Sequence, residues 1–352
     1  MKEQKKIPTG KVQRASGILG AGIKVTGNYA KHYTKSIFWK SDREDLDKEN
    51  AEDIYNALSK LKGGALKVAQ MLSLNDALPQ AFTEKFALAQ FSAPPLSYPL
   101  VVKTFMSDLG KNPSEIFDTF TSKAVNAASI GQVHIATKYG KKLAVKIQYP
   151  GIAESLKSDI QMVKPFALQF MNITKDELNY YSDEIEKMLI KETDYEGELN
   201  RSIEISNACS EIENIVFPKY YSEFSSKKII TMDWLDGMMM NDFIKSEASQ
   251  FVKNKIGQAI WDFYCYQMHT LKKFHADPHP GNFIITDDEK CGIIDFGAVK
   301  DIPENIYYPY FKLVVLDFEK DIQELDSIFL ALNMVTSKDS EREKELFTTM
   351  FK

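Results

Sequence analysis

Residues 275–283 read HADPHPGNF, and residues 293–300 read IIDFGAVK. The first stretch places Asp277 five residues before Asn282, and the second holds a carboxylate, Asp295, followed by an aromatic residue and a glycine. A loop carboxylate can orient or deprotonate a hydroxyl group or water. An amide oxygen and a second carboxylate are hard ligands suited to magnesium, and they leave coordination positions for phosphate oxygens. The chemistry indicated is phosphoryl transfer from a nucleoside triphosphate. His275, Asp277 and His279 also read as a zinc-like cluster. Three ligands within five residues beside two prolines lack the helical i, i+4 spacing of HExxH sites, and chance does not account for the ordered Asp, Asn, Asp series.

An Asp-x-x-x-x-Asn loop, a β-hairpin and then Asp-Phe-Gly is the order used by kinase-type phosphotransferases. Such a site needs a cation for the phosphates, and Lys146 in AVKIQ has the required strand setting. It follows Gly131 by fifteen residues. The loop ending at that glycine offers Ala127, Ala128, Ser129 and Gly131, whose backbone amides can face phosphates. Alanine disfavours positive φ and adds a methyl group, so this loop approaches phosphates less freely than a glycine-rich one. The segment KETDYEGELN supplies Glu192, Asp194, Glu196 and Glu198. Asp194 and Glu198 share a helical face; Glu192 and Asp194 do not; Glu196 reads as solvated.

Placing these groups requires a two-part chain. Residues 1–50 form a basic arm and 51–98 a helical region in which Ile54, Leu58, Leu61, Ala65, Val68 and Leu72 recur at helical spacing. Gly63 and Gly64 interrupt that helix, and three prolines between Phe91 and Pro99 end the region as an extended linker. Residues 99–235 read as a mixed lobe: a hairpin of Ser129–Thr137 and Lys142–Tyr149 turning at Tyr139-Gly140, helices at about 153–172 and 175–210, then strands near NIVFPKYY and KKIITMDWL. Residues 236–352 are mainly helical, broken by the short strands FIIT and CGIID. The fold class expected is α+β.

The 352 residues, 44% hydrophobic and 26% charged, describe a chain with a sizeable core rather than a disordered or fibrous one. Three scattered cysteines support neither a disulfide framework nor a cysteine-rich zinc site, and a reducing compartment fits best. No apolar run is long enough to span a membrane. Net charge is −5, yet the first 40 residues hold nine Lys or Arg against Glu3 alone, so the arm is +8 and the remainder −13. A basic, partly apolar arm is either a solvated tail, a transit peptide or a segment that lies on an anionic membrane surface. No nucleic-acid partner is expected.

Together these residues resemble the UbiB family of atypical kinase-like proteins, the AarF/ADCK group, over roughly Ala51 to the end. The family's KxGQ helix looks like KVAQ, placing Lys67 and Gln70; the alanine-rich loop looks like AASIGQVH; the ExD element looks like Glu192 and Asp194. Ala69 stands where the family has glycine. The resemblance implies a two-lobed protein-kinase-like fold with the KxGQ-type extension laid over the active site. It makes Glu198 the partner of Lys146, Asp277 the catalytic-loop residue, and Asn282 and Asp295 the magnesium positions. It also implies ATP and magnesium as cofactors, ATPase rather than ordinary protein kinase activity, and a link to isoprenoid quinone lipids at membranes. The location expected is cytoplasmic and peripheral to a membrane, or mitochondrial in a eukaryote. A small-molecule phosphotransferase and a nucleotide-binding scaffold are the competing readings.

Overall fold

The hairpin that carries Lys146 forms as the alternation in its sequence predicts. Strands β3 (Gly131–Lys138) and β4 (Lys141–Gln148) pair antiparallel in unbroken register, with Lys146 opposite Val133 and Gly131 opposite Gln148. Tyr139 and Gly140 both take positive φ, 53° and 72°, as the tight turn linking two twisted strands requires. Leu143, Val145 and Ile147 of β4 point into the core and are essentially fully buried. Ala144, Lys146 and Gln148 therefore share the opposite face, because strand side chains alternate.

The computed structural model describes residues 48–53, 55–56, 80–81, 95–127, 130–170, 175–315, 322–336 and 339–351. The KVAQ segment with Lys67 and Gln70, and Ala128 and Ser129 of the alanine-rich loop, lie outside the described residues.

The described chain divides into two units interleaved along the sequence. The first takes 1–207, 217–236 and 294–297; the second takes 208–216, 237–293 and 298–352. In the first, β1 (Thr119–Phe120) and β2 (Asn126–Ala127) pair with β3, and β6 (Ile229–Asp233) pairs with β4. Helix α1 (Tyr98–Asp108) packs Val101 and Phe105 into the same core as Val145, Ile147, Ile229 and Leu189. A fully buried aliphatic or aromatic side chain of this kind contributes about 1.5–3 kcal/mol.

After α2 (Pro113–Ile116) and α3 (Ile152–Phe170), the single helix expected over 175–210 is two helices, α4 (Lys175–Glu192) and α5 (Tyr195–Ala208). The break falls at Thr193-Asp194 for a tertiary reason. The Gln148 amide, on the Lys146 face of β4, donates to the Thr193 carbonyl at 2.9 Å. Asp194 then restarts the helix as its cap, its Oδ1 accepting the Gly197 N–H at 3.0 Å and its carbonyl accepting the Glu198 N–H at 2.8 Å.

In the second unit β5 (Ile215–Val216) runs parallel to β10 (Cys291–Ile293), which pairs antiparallel with β9 (Phe283–Thr286), and β7 (Gly237–Met239) closes the sheet beside β9. A separate pair, β8 (Lys273–His275) and β11 (Val299–Asp301), runs antiparallel, with the loop that carries Asp277 and Asn282 following β8. Helices α6 (Met240–Lys245), α7 (Gln250–Tyr266), α8 (Glu304–Lys312), α9 (Ile322–Ala331) and α10 (Glu341–Phe351) complete it. Among the described residues no helix is long and apolar enough to cross a membrane.

Candidate nucleotide site

Within the first unit, Lys146 binds two carboxylates at once. Its Nζ donates to Glu198 Oε1 at 2.7 Å and to Asp295 Oδ2 at 2.9 Å. Strand β4, helix α5 and the returning segment 294–297 each supply one member of the triad. Glu198 reaches the lysine because it stands four residues after the capping Asp194, one turn into α5. Lys146 and Glu198 are buried, with the Lys146 ammonium 5.1 Å from the ring centre of Tyr195, also fully buried. Asp295 is held at its other oxygen, Oδ1, by the Gly297 N–H at 2.8 Å.

These positions set the charges. Burial opposes the charge on Lys146, but the Asp295 and Glu198 carboxylates outweigh it and hold the ammonium well above the ordinary lysine range. Burial pushes Glu198 up to about 7, against the pull of Lys146 and with the repulsion of Asp295. Glu198 Oε2 is buried without a hydrogen-bond partner, on the side facing Gly297. A Cβ on Gly297 would lie 3.1 Å from Asp295 Oδ1 and 3.4 Å from Glu198 Oε2, so a side chain there would press on both carboxylates.

Arg201, two turns after Asp194, was not marked by the sequence motifs. Its guanidinium donates to the Phe296 carbonyl at 3.5 Å and the Gly297 carbonyl at 3.4 Å, tying α5 to the Asp-Phe-Gly backbone. Helical spacing after Glu198 is the one signal that could have found it. Of the ExD pair, Asp194 is exposed and serves as the cap described above, while Glu192 is half-buried and raises the Glu198 pKa further. Glu196 is exposed. Ala127 ends β2, paired with Gln132, and Gly131 opens β3.

The second unit holds the loop. Asn282 Nδ2 donates to the Asp277 carbonyl at 3.0 Å and approaches its Oδ2 at 3.4 Å. With the amide nitrogen committed to Asp277, Oδ1 is the Asn282 atom suited to a cation. His279 Nδ1 accepts the Gly281 N–H at 2.9 Å and so shapes the Pro280–Asn282 turn. His275 is buried, its N–H bonded to Gln267 Oε1 and its Nδ1 3.4 Å from the Tyr264 hydroxyl. Both imidazoles thus have structural partners, and among the described residues no His, Cys, Asp or Glu group is arranged to hold a metal by itself. The amide oxygen of Asn282 and the carboxylate of Asp295 are each hard oxygen donors of the kind magnesium takes.

The model of the ABC1 atypical kinase-like domain matches residues 88–329. Similar curated proteins include the probable serine/threonine-protein kinase abkA of Dictyostelium discoideum, 26% identical over 83% of this chain and 54% of its own length. Zebrafish atypical kinase COQ8B, mitochondrial, is 29% identical over 89% of this chain and 52% of its own length. Yeast atypical kinase COQ8, mitochondrial, is 29% identical over 96% of this chain and 69% of its own length. The chain spans about half the length of most of the curated relatives it matches. Among solved structures, the Mycobacterium tuberculosis Rv3197–erythromycin complex is similar with a TM-score of 0.58 and 27% identity, covering 87% of this chain and 79% of that one.

Proposed function

Because this chain belongs to the ABC1 atypical kinase-like family, the UbiB or AarF/ADCK group, and has that family's kinase-like α+β fold, we propose that it is an ATPase working with magnesium. Its proposed role is to support isoprenoid quinone or related lipid metabolism at a membrane surface. The observation that carries the nucleotide reading is the Lys146 triad: a buried ammonium held by a helix glutamate and by the aspartate of Asp-Phe-Gly. Relatives named as atypical kinases support phosphotransferase-type chemistry.

In this reading Lys146 holds the α- and β-phosphates, and Glu198 fixes the position of the lysine. Asn282 and Asp295 hold the metal, and Asp277 orients the attacking oxygen and accepts its proton. Bound magnesium would neutralise charge on the phosphate oxygens. The backbone of the loop through Ala127, Ala128, Ser129 and Gly131 covers the phosphates. Lys67 and Gln70, with Glu192 and Asp194, are proposed to restrict access for bulky acceptors, so that water competes successfully. The basic arm is proposed to rest on anionic lipid, in a mitochondrial setting if the cell is eukaryotic, as two relatives are named mitochondrial.

The test is thermal stabilisation by ATP with magnesium and with EDTA. A ligand present at 100 times its dissociation constant adds about 2.7 kcal/mol. A large shift with magnesium and a small one with EDTA is expected. Equal shifts would remove the metal assignment, and no shift in either condition would remove the nucleotide reading.

A further inference from the structure

Tyr195 opens α5 with its side chain fully buried, yet its hydroxyl has no hydrogen-bond partner. An orphaned buried donor costs stability, and a phenylalanine would fill nearly the same volume without that cost. The hydroxyl therefore calls for an explanation outside packing.

Its surroundings supply one. A Cβ built on Gly131 would lie 2.9 Å from the Tyr195 hydroxyl oxygen and 2.5 Å from the Ile147 carbonyl oxygen. Glycine at 131 is thus what leaves room for the hydroxyl beneath the end of the loop. On the other side the ring lies under the Lys146 ammonium, its centre 5.1 Å away. The phenol sits between the end of the alanine-rich loop and the lysine, the two elements assigned to phosphates. Burial drives its pKa upward, so it stays protonated and has a proton to donate. A phosphate oxygen is a charged acceptor, and hydrogen bonds to charged groups are about twice as strong as neutral ones.

We propose that Tyr195 is a phosphate-binding residue whose hydroxyl donates to a non-bridging oxygen of the nucleotide phosphate held by Lys146. This rests on the nucleotide reading above. Glu198 Oε2 is another orphan atom beside the lysine, and a rotated Tyr195 hydroxyl bonded to it would make the phenol purely structural.

The experiment compares the full chain with its Tyr195→Phe variant in three measurements: melting without ligand, calorimetric affinity for Mg-ATP, and thermal stabilisation by adenosine, which has no phosphate. The variant is expected to melt at or above the wild-type temperature, to respond to adenosine as the wild type does, and to bind Mg-ATP about tenfold more weakly. Unchanged Mg-ATP affinity would overturn the proposal. So would a lower melting temperature in the variant, or equal losses for ATP and adenosine, since either marks a structural hydroxyl. A wild type that binds no Mg-ATP would instead overturn the nucleotide reading, and this assignment with it.

Discussion

Glu198 is the residue on which the charge balance of the site turns. An exposed glutamate loses its proton near pH 4.5; burial raises Glu198 to about 7. Between those values the folded chain holds a proton that the unfolded chain has lost, so this group's contribution to stability falls as pH rises through that window. The span corresponds to on the order of 3 kcal/mol. Glu198→Gln removes the titration, and its melting temperature relative to wild type should rise between pH 5 and pH 8. A constant difference across that range would show that Glu198 does not titrate there. Lys146 behaves differently from a lysine that serves only phosphates. Buried between Glu198 and Asp295, it cannot be removed without leaving two carboxylates facing each other. Lys146→Ala should therefore cost about 3–5 kcal/mol of stability, measurable by denaturant unfolding, and adding Glu198→Gln should recover part of it. A fold as stable as wild type would mean that solvent, not the lysine, satisfies the carboxylates. The chemistry-bearing types at these positions were legible because Asp-x-x-x-x-Asn and Asp-Phe-Gly have fixed spacing. The orphan hydroxyl of Tyr195 and the carbonyl clamp of Arg201 were not, since each depends on what lies opposite in space.

Elements place these groups, and two of them hang on single side chains. Asp194 caps α5, and Glu198 is one turn further on, so the cap sets where the glutamate points. Asp194→Ala should cost about 1 kcal/mol and weaken nucleotide binding through the displaced Glu198; calorimetry at matched temperature checks it, and full affinity would separate the cap from the site. The sequence carried the acids but not the helix break, because a helical pattern runs through Thr193 and only the reach of Gln148 from β4 ends it. A second device ties the linker before α1 to β3. The Leu96 N–H donates to Gln132 Oε1, the Gln132 amide donates to His134 Nε2, and His134 Nδ1 donates to the Thr121 carbonyl, at 2.7, 2.8 and 2.7 Å. This chain of bonds needs a neutral imidazole, and burial lowers the His134 pKa against the pull of the Thr121 bond. The unfolded chain then binds the proton more readily, so stability is full above about pH 6.5 and is lost as pH falls below it. His134→Gln should flatten that acid loss, read from denaturation midpoints at pH 7.5 and 5.5; equal slopes would show that His134 is silent. The hairpin itself was legible from alternation and Tyr139-Gly140, whereas this polar chain was not, because QVH reads as ordinary strand.

For the molecule as a whole, charge is the property most plainly written in the sequence. An arm of +8 precedes a remainder of −13. Each lysine near an anionic surface contributes about 1 kcal/mol, so the full chain should sediment with phosphatidylserine-containing vesicles at low salt and release as salt rises. Deleting residues 1–40 should abolish that binding; retention would move the lipid contact elsewhere. Less legible was how the units share the chain. Composition changes smoothly across Ile294 to Gly297, and nothing in four residues announces that they belong with a strand far upstream.

That return of 294–297 to the first unit bears on the order in which the protein is made. Asp295 follows its partner Lys146 by 149 residues. At about 5–20 residues per second, the ribosome needs roughly 7–30 s to add the aspartate after the lysine has been synthesised. Once α5 is finished at Ala208, the β3–β4 hairpin and α5 have all their own residues, but until Asp295 is added the ammonium has one carboxylate rather than two. The Lys146 triad is thus among the last parts of the first unit to be completed. A nascent chain stalled before Ile294 should show the hairpin protected from exchange while ATP leaves its stability unchanged.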